Sequence, residues 1–164
     1  MATRTRIGAA IDALLGILRG TPSLAQVDIV DGPPLDWGSI RLPSTQPQKG
    51  DGTSFLFVGA SPDATLAAES TLDWNAAGAV SRDERLQIVC TAVGWSGALD
   101  TKAARDLVLT RMGDVEDAIH ADPTIAGSVL YSEVSSVDHL DYVQTDRGLA
   151  AVAVFRVACR AYLS

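Results

Sequence analysis

Residues 149–163 alternate so regularly that they leave one conformation open. Ala151, Ala153, Phe155, Val157, Cys159 and Ala161 fall on one parity, and Val152, Val154, Arg156, Arg160 and Tyr162 on the other. Successive side chains of a strand point to opposite faces. The spacing therefore predicts the longest strand of the chain, with one face apolar throughout. Residues 84–95 repeat the pattern, with Leu86, Ile88, Cys90 and Ala92 on one side and Gln87, Val89, Thr91 and Val93 on the other. Both sides are apolar enough that this strand belongs in the middle of a sheet. A third alternating stretch, 129–144, slips near Ser135-Ser136, which predicts a β-bulge. Thr145-Asp146-Arg147-Gly148 supplies turn chemistry, so the last third reads as a β-hairpin.

Two helices complete the pattern. Ile7, Ile11, Leu14, Leu15 and Leu18 recur at helical spacing over residues 6–19, and Gly20 and Pro22 end that run. Asp100 or Thr101 caps a second helix reaching about residue 121, with Pro123 beyond it. Its buried stripe is Ala104, Val108, Met112, Val115 and Ile119. Shorter strands are expected at 27–30, at Phe55–Val58 and, more weakly, at 66–75. The order is α-β-β-β-β-α-β-β, which argues for an α+β fold: a mostly antiparallel sheet with two main helices packed on one side. At 164 residues the chain fits one domain, able to bury a core without disulfides or metal.

Residues 31–54 break the pattern. Eight of these 24 positions are Gly or Pro, including four of the chain's seven prolines. Such a stretch joins neither a helix nor a central strand, and it is longer than ordinary connections. Leu35, Asp36, Trp37, Ile40 and Leu42 mark it as a candidate partner-docking loop, because interfaces are enriched in tryptophan. The competing reading is that Trp37 folds back over the domain's own core.

Thirteen basic and twenty acidic residues give a formal net charge of −7, the reverse of a nucleic-acid-binding footprint. The outer face of the second helix collects Asp106, Asp114 and Asp117, with Glu116 at its margin, while Lys102 and Arg105 sit in the first turns. That order opposes the helix dipole. It fits a plain solvated face, or a surface past which DNA slides without sticking.

Chemistry-bearing motifs are missing. No phosphate-binding glycine pattern follows a strand, and Gly94-Trp95-Ser96-Gly97 lacks the spacing of a nucleophile elbow. His120 and His139 each have acidic neighbours, but such groupings arise by chance in turns. Cys90 and Cys159 are too sparse for a disulfide framework and are expected as buried free thiols. The first residues read as neither signal peptide nor membrane span. No enzyme activity, cofactor, metal or membrane partner is expected.

Three segments carry a likeness to a known group. Arg85-Leu86-Gln87-Ile88-Val89-Cys90-Thr91-Ala92, the helix from Asp100, and the ending Thr145-Asp146-Arg147-Gly148 through Phe155-Arg156-Val157-Ala158-Cys159-Arg160-Ala161 resemble tail-terminator or tail-completion proteins of long-tailed bacteriophages. The amphipathic first helix and the irregular stretch after the first strand fit that layout too. The resemblance implies a small subunit that assembles with copies of itself, typically as a hexamer, into a ring on the last ring of the tail tube. Such a ring stops tube growth and offers a surface to head-completion or connector proteins, and DNA passes through it without specific binding. On this reading the protein is made in the host cytoplasm and resides at the head-proximal end of the virion tail. Asp106, Asp114, Glu116 and Asp117 become candidates for the channel side. The alternatives are a head–tail connector or neck adaptor, and a small-molecule or peptide-binding module with no virion role.

Overall fold

A computed structural model describes residues 5–34, 37, 54–62, 66–74, 81–145 and 148–163. Helix α1 spans Ile7–Arg19 and is followed by one 3-10 turn, Pro22–Leu24. Strands β1 (Asp28–Asp31), β2 (Ser54–Val58), β3 (Ala68–Trp74) and β4 (Arg82–Ser96) come next. Helix α2 (Thr101–Ala121) then precedes the hairpin β5 (Tyr131–Thr145) and β6 (Gly148–Leu163). The α-β-β-β-β-α-β-β order expected from the periodicities is the observed one, and the fold is α+β. Strand ends differ from the expected ones by a residue or two in both directions: β4 extends at both ends, whereas β3 is shorter than 66–75 and β5 starts at Tyr131, not at 129.

Strand β4 is the spine. All fifteen of its residues pair with β6, from Arg82 opposite Leu163 to Ser96 opposite Leu149. Its other edge is shared end to end: β2 covers Cys90–Gly94 and β3 covers Arg82–Ile88. The seam falls at Val89, whose carbonyl accepts from Gly59 and Ala60 and whose N–H donates to Ala67. No backbone group of β4 is stranded where one neighbour hands over to the next. The main path is β1-β2-β4-β6-β5. Every pair is antiparallel except β1 with β2, and β5 meets β6 with register shifts between Val134 and Ser136 and between Val137 and His139. The single expected bulge is thus two.

Both helices cover one face of the sheet. There Leu56 and Val58 of β2, Leu86, Ile88, Cys90 and Ala92 of β4, and the odd-numbered run Ala151–Ala161 of β6 meet Leu14, Leu15 and Leu18 of α1 and the Val108–Val115 stripe of α2. Helix α2 comes so close that a Cβ built on Gly94 would lie 2.9 Å from the carbonyl oxygen of Ala104 and 3.1 Å from the amide nitrogen of Val108. A smaller apolar cluster occupies the opposite face near the hairpin end: Phe55, Phe57, Val93 and Ala150, flanked by Val30, Trp37, Trp95 and Val152. Cys90 and Cys159 are free and buried.

Candidate functional site

Three groups of residues were singled out by sequence, and the fold treats them differently. Of the docking-loop residues, Leu35, Asp36, Ile40 and Leu42 lie outside the described residues. Trp37 is described. It is half-buried, and its indole meets the Phe57 ring edge-on at 5.2 Å between centroids. Phe57 in turn stacks with Phe55. The tryptophan therefore adds to the second apolar cluster of its own chain.

The acidic residues of α2 do not form one surface. Asp106 is exposed and takes an ion pair from Lys102 one turn earlier, with Arg105 at 3.9 Å. The hydrogen bond from the Lys102 ammonium holds the Asp106 carboxyl below its ordinary value. Asp114 is mostly buried, its side chain 17% exposed. It pairs with Arg111 at 3.0 Å, and the same guanidinium donates to the Ser23 carbonyl and the Ser54 hydroxyl. Arg111 thus ties α2 to the 3-10 turn and to β2, and Asp114 belongs to that strut, not to an outer face. Glu116 and Asp117 are exposed. At 100° per residue, Asp106 and Asp117 share the outward stripe, whereas Glu116 and Leu109 turn toward the β5 side, opposite Arg111.

His120 is exposed and His139 lies 3.4 Å from Asp141. Among the described residues, no three His, Cys, Asp or Glu side chains converge in a way that could hold a metal ion. No described helix is long and apolar enough to cross a membrane.

The side of the sheet away from the helices carries a charge lattice that residue spacing alone did not reveal. Register sets Arg85 directly opposite Arg160, and Asp73 opposite Asp83, a like-with-like arrangement that costs stability. The ion pairs resolve it along diagonals: Arg160 to Asp83 at 2.6 Å and Arg85 to Asp73 at 3.8 Å. Arg156 anchors the lattice's centre. It donates to Asp138 of β5 at 2.9 Å, Gln87 of β4 at 3.1 Å and Glu69 of β3 at 3.2 Å. Its guanidinium holds the Asp138 carboxyl below the usual range. The second bulge, after Val137, lies beside Asp138 and its bond to Arg156.

A second feature invisible to periodicity is Glu84, fully buried on the helix side of β4. Its carboxylate accepts from the Thr5 hydroxyl and, at 2.8 Å, from the Arg6 amide. Helix α1 has no cap from its own N-cap side chain. A strand 78 residues away supplies the anion that its N-terminus favours.

Pairing, packing and electrostatics of these kinds build surfaces and struts. Among the described residues, exposed features include Asp106 and Asp117 on the outward stripe of α2, Leu109 and Val137 on the α2–β5 side, and Trp74 at the end of β3. No family model matches the chain, and no curated protein matches it either.

Proposed function

We propose that this chain is a structural subunit of a long-tailed bacteriophage, a tail-terminator-like protein that assembles with copies of itself into a ring at the head-proximal end of the tail tube. The ring ends tube polymerisation and presents the surface to which the head-completion or connector protein joins. The observation that carries the reading is the layout: one long, mostly antiparallel sheet with both helices on one face and the 32–53 stretch inserted between β1 and β2. Its amphipathic first helix and the long stretch after the first strand fit the layout of the family that the 85–92 and 145–161 segments resemble. The charge balance of −7 supports it as well, since a surface that DNA traverses should not hold phosphates. In this reading the outward stripe of α2, at Asp106 and Asp117, faces the channel.

The test combines native mass across a concentration series with a capping assay. Purified protein added to polymerising tail-tube subunits should stop tube growth at one end and appear there as a ring in negative-stain images. Tubes that lengthen unchecked in its presence would rule out the terminator role.

A further inference from the structure

Two apolar exposures stand on opposite lateral sides of the sheet, both on its helix-bearing face. On one side, β3 has no further strand against it among the described residues. There Trp74 stands 60% exposed, with the Arg82 guanidinium 3.9 Å from its ring centroid. Trp74 and Arg82 are cross-strand partners, on the same parity as Glu84 and Leu86, and so on the helix side. Among the described residues Arg82 has no ion pair. On the other side, α2 packs along β5 and leaves apolar side chains exposed beside it. Leu109, 45% exposed, shares this flank of α2 with Met112 and Glu116, and Val134, Val137 and Leu140 lie on the helix side of β5, Val137 being 53% exposed. Glu116 is exposed on the same flank and likewise makes no ion pair among the described residues.

The two surfaces complement each other. One presents an indole with a cation stacked on it, and the other presents an apolar patch with an anion beside it. Tryptophan and arginine are enriched among the residues that carry interface binding energy, and a cation stacked on an indole adds to the attraction. Backbone pairing between sheet edges is a poorer way to join copies. Two bulges and the acidic residues Asp138 and Asp141 guard the β5 edge, and the Ile29 carbonyl of β1 already accepts from Arg19.

We propose that a second copy of this chain docks laterally, with Trp74 and Arg82 of one protomer against the exposed α2–β5 patch of the next, Arg82 facing Glu116. The contact joins two different surfaces, so each protomer keeps one of each free. Association is head-to-tail and closes into a ring when the rotation per step divides the circle. Only that closure rests on the ring reading above; the contact itself does not.

The experiment uses the full-length chain and three variants, Arg82→Glu, Glu116→Arg and Trp74→Ala. Each is checked by circular dichroism for unchanged fold, and mass is followed by sedimentation velocity. Wild type should self-associate, and each single variant should weaken association by about 30-fold or more. Mixing Arg82→Glu with Glu116→Arg in equal amounts should restore assembly, because both junctions of an alternating ring then pair opposite charges. Single variants that assemble like wild type would overturn the contact while leaving the ring reading standing. A wild-type chain that stays monomeric at every concentration would overturn the contact too. Assembly that responds as expected but fails to cap tubes would retire the terminator role and keep the contact.

Discussion

Glu84 shows how much one side chain can decide. A carboxylate with no exposed surface is tolerable only when its lone pairs are used, and here the Thr5 hydroxyl and Arg6 amide use them. Replacing it with alanine removes the acceptor and leaves the start of α1 uncapped, so Glu84→Ala should destabilise the fold by about 1–3 kcal/mol in urea unfolding. Thr5→Ala, which removes one of the two donors, should cost less. The thiols follow from burial as well. Desolvation pushes both Cys90 and Cys159 up to about 12, so neither is a thiolate at neutral pH. A disulfide-exchange reagent should label them at the rate of unfolding; prompt labelling of the native protein would show that the sheet opens locally. Asp122 is the acid-sensitive counterpart. The Ala126 amide, then the Thr124 hydroxyl, hold its carboxyl below the ordinary 3.8. These bonds close a loop in which Ile125 and Ala126 take positive φ of 47° and 53°. Because the folded value is lowered, its contribution is complete above 3.8 and disappears as pH falls through the lowered value. The pH profile of stability for Asp122→Asn should therefore flatten below pH ~4 relative to wild type.

At the level of elements, what could be read from the sequence was whatever repeats locally. The parity of 149–163 identified β6, the double-sided apolarity of 84–95 placed β4 centrally, and the 104–119 stripe identified the face of α2 that meets them. Tertiary partners left no such trace. The second bulge, beside the Asp138–Arg156 bond 18 residues apart in sequence, could not be found by alternation alone. Likewise the strut from Arg111 to Ser54 and Ser23 turned Asp114 from an apparent outer-face residue into an inner one. Asp100, by contrast, was legible because a cap is local: its side chain accepts from the Ala103 amide. Gly94 is the element-scale test of how α2 sits on the sheet. The atoms that a new Cβ would meet are backbone, at 2.9 and 3.1 Å, and cannot swing aside as a side chain would. Gly94→Ala should lower stability by about 1–3 kcal/mol in denaturant unfolding. An unchanged midpoint would mean that α2 rides further from β4 than its packing indicates.

The whole molecule separates its jobs by face, and that separation makes the charge argument testable. Ion pairs knit the sheet side away from the helices, the lateral surfaces at Trp74 and at the α2–β5 patch are apolar with one charge each, and the outward α2 stripe keeps Asp106 and Asp117 clear of both. If the stripe lines a channel for DNA, its charge serves transit and not assembly, because exposed acids on a solvated helix contribute little to stability. Asp106→Lys combined with Asp117→Lys shifts local charge by about four units per subunit, without touching Arg82, Glu116 or the α2–β5 patch. The double variant should fold and assemble as wild type does, yet its rings should retain double-stranded DNA at ~50 mM salt and release it toward ~200 mM, the signature of counterion release. Wild-type rings should pass DNA freely at both. Should the double variant instead fall apart into monomers, the stripe would belong to a subunit contact. Should it assemble and ignore DNA at low salt, the stripe would face away from the channel, and the channel wall would have to be sought on the opposite side of the sheet, where the Arg156 lattice lies.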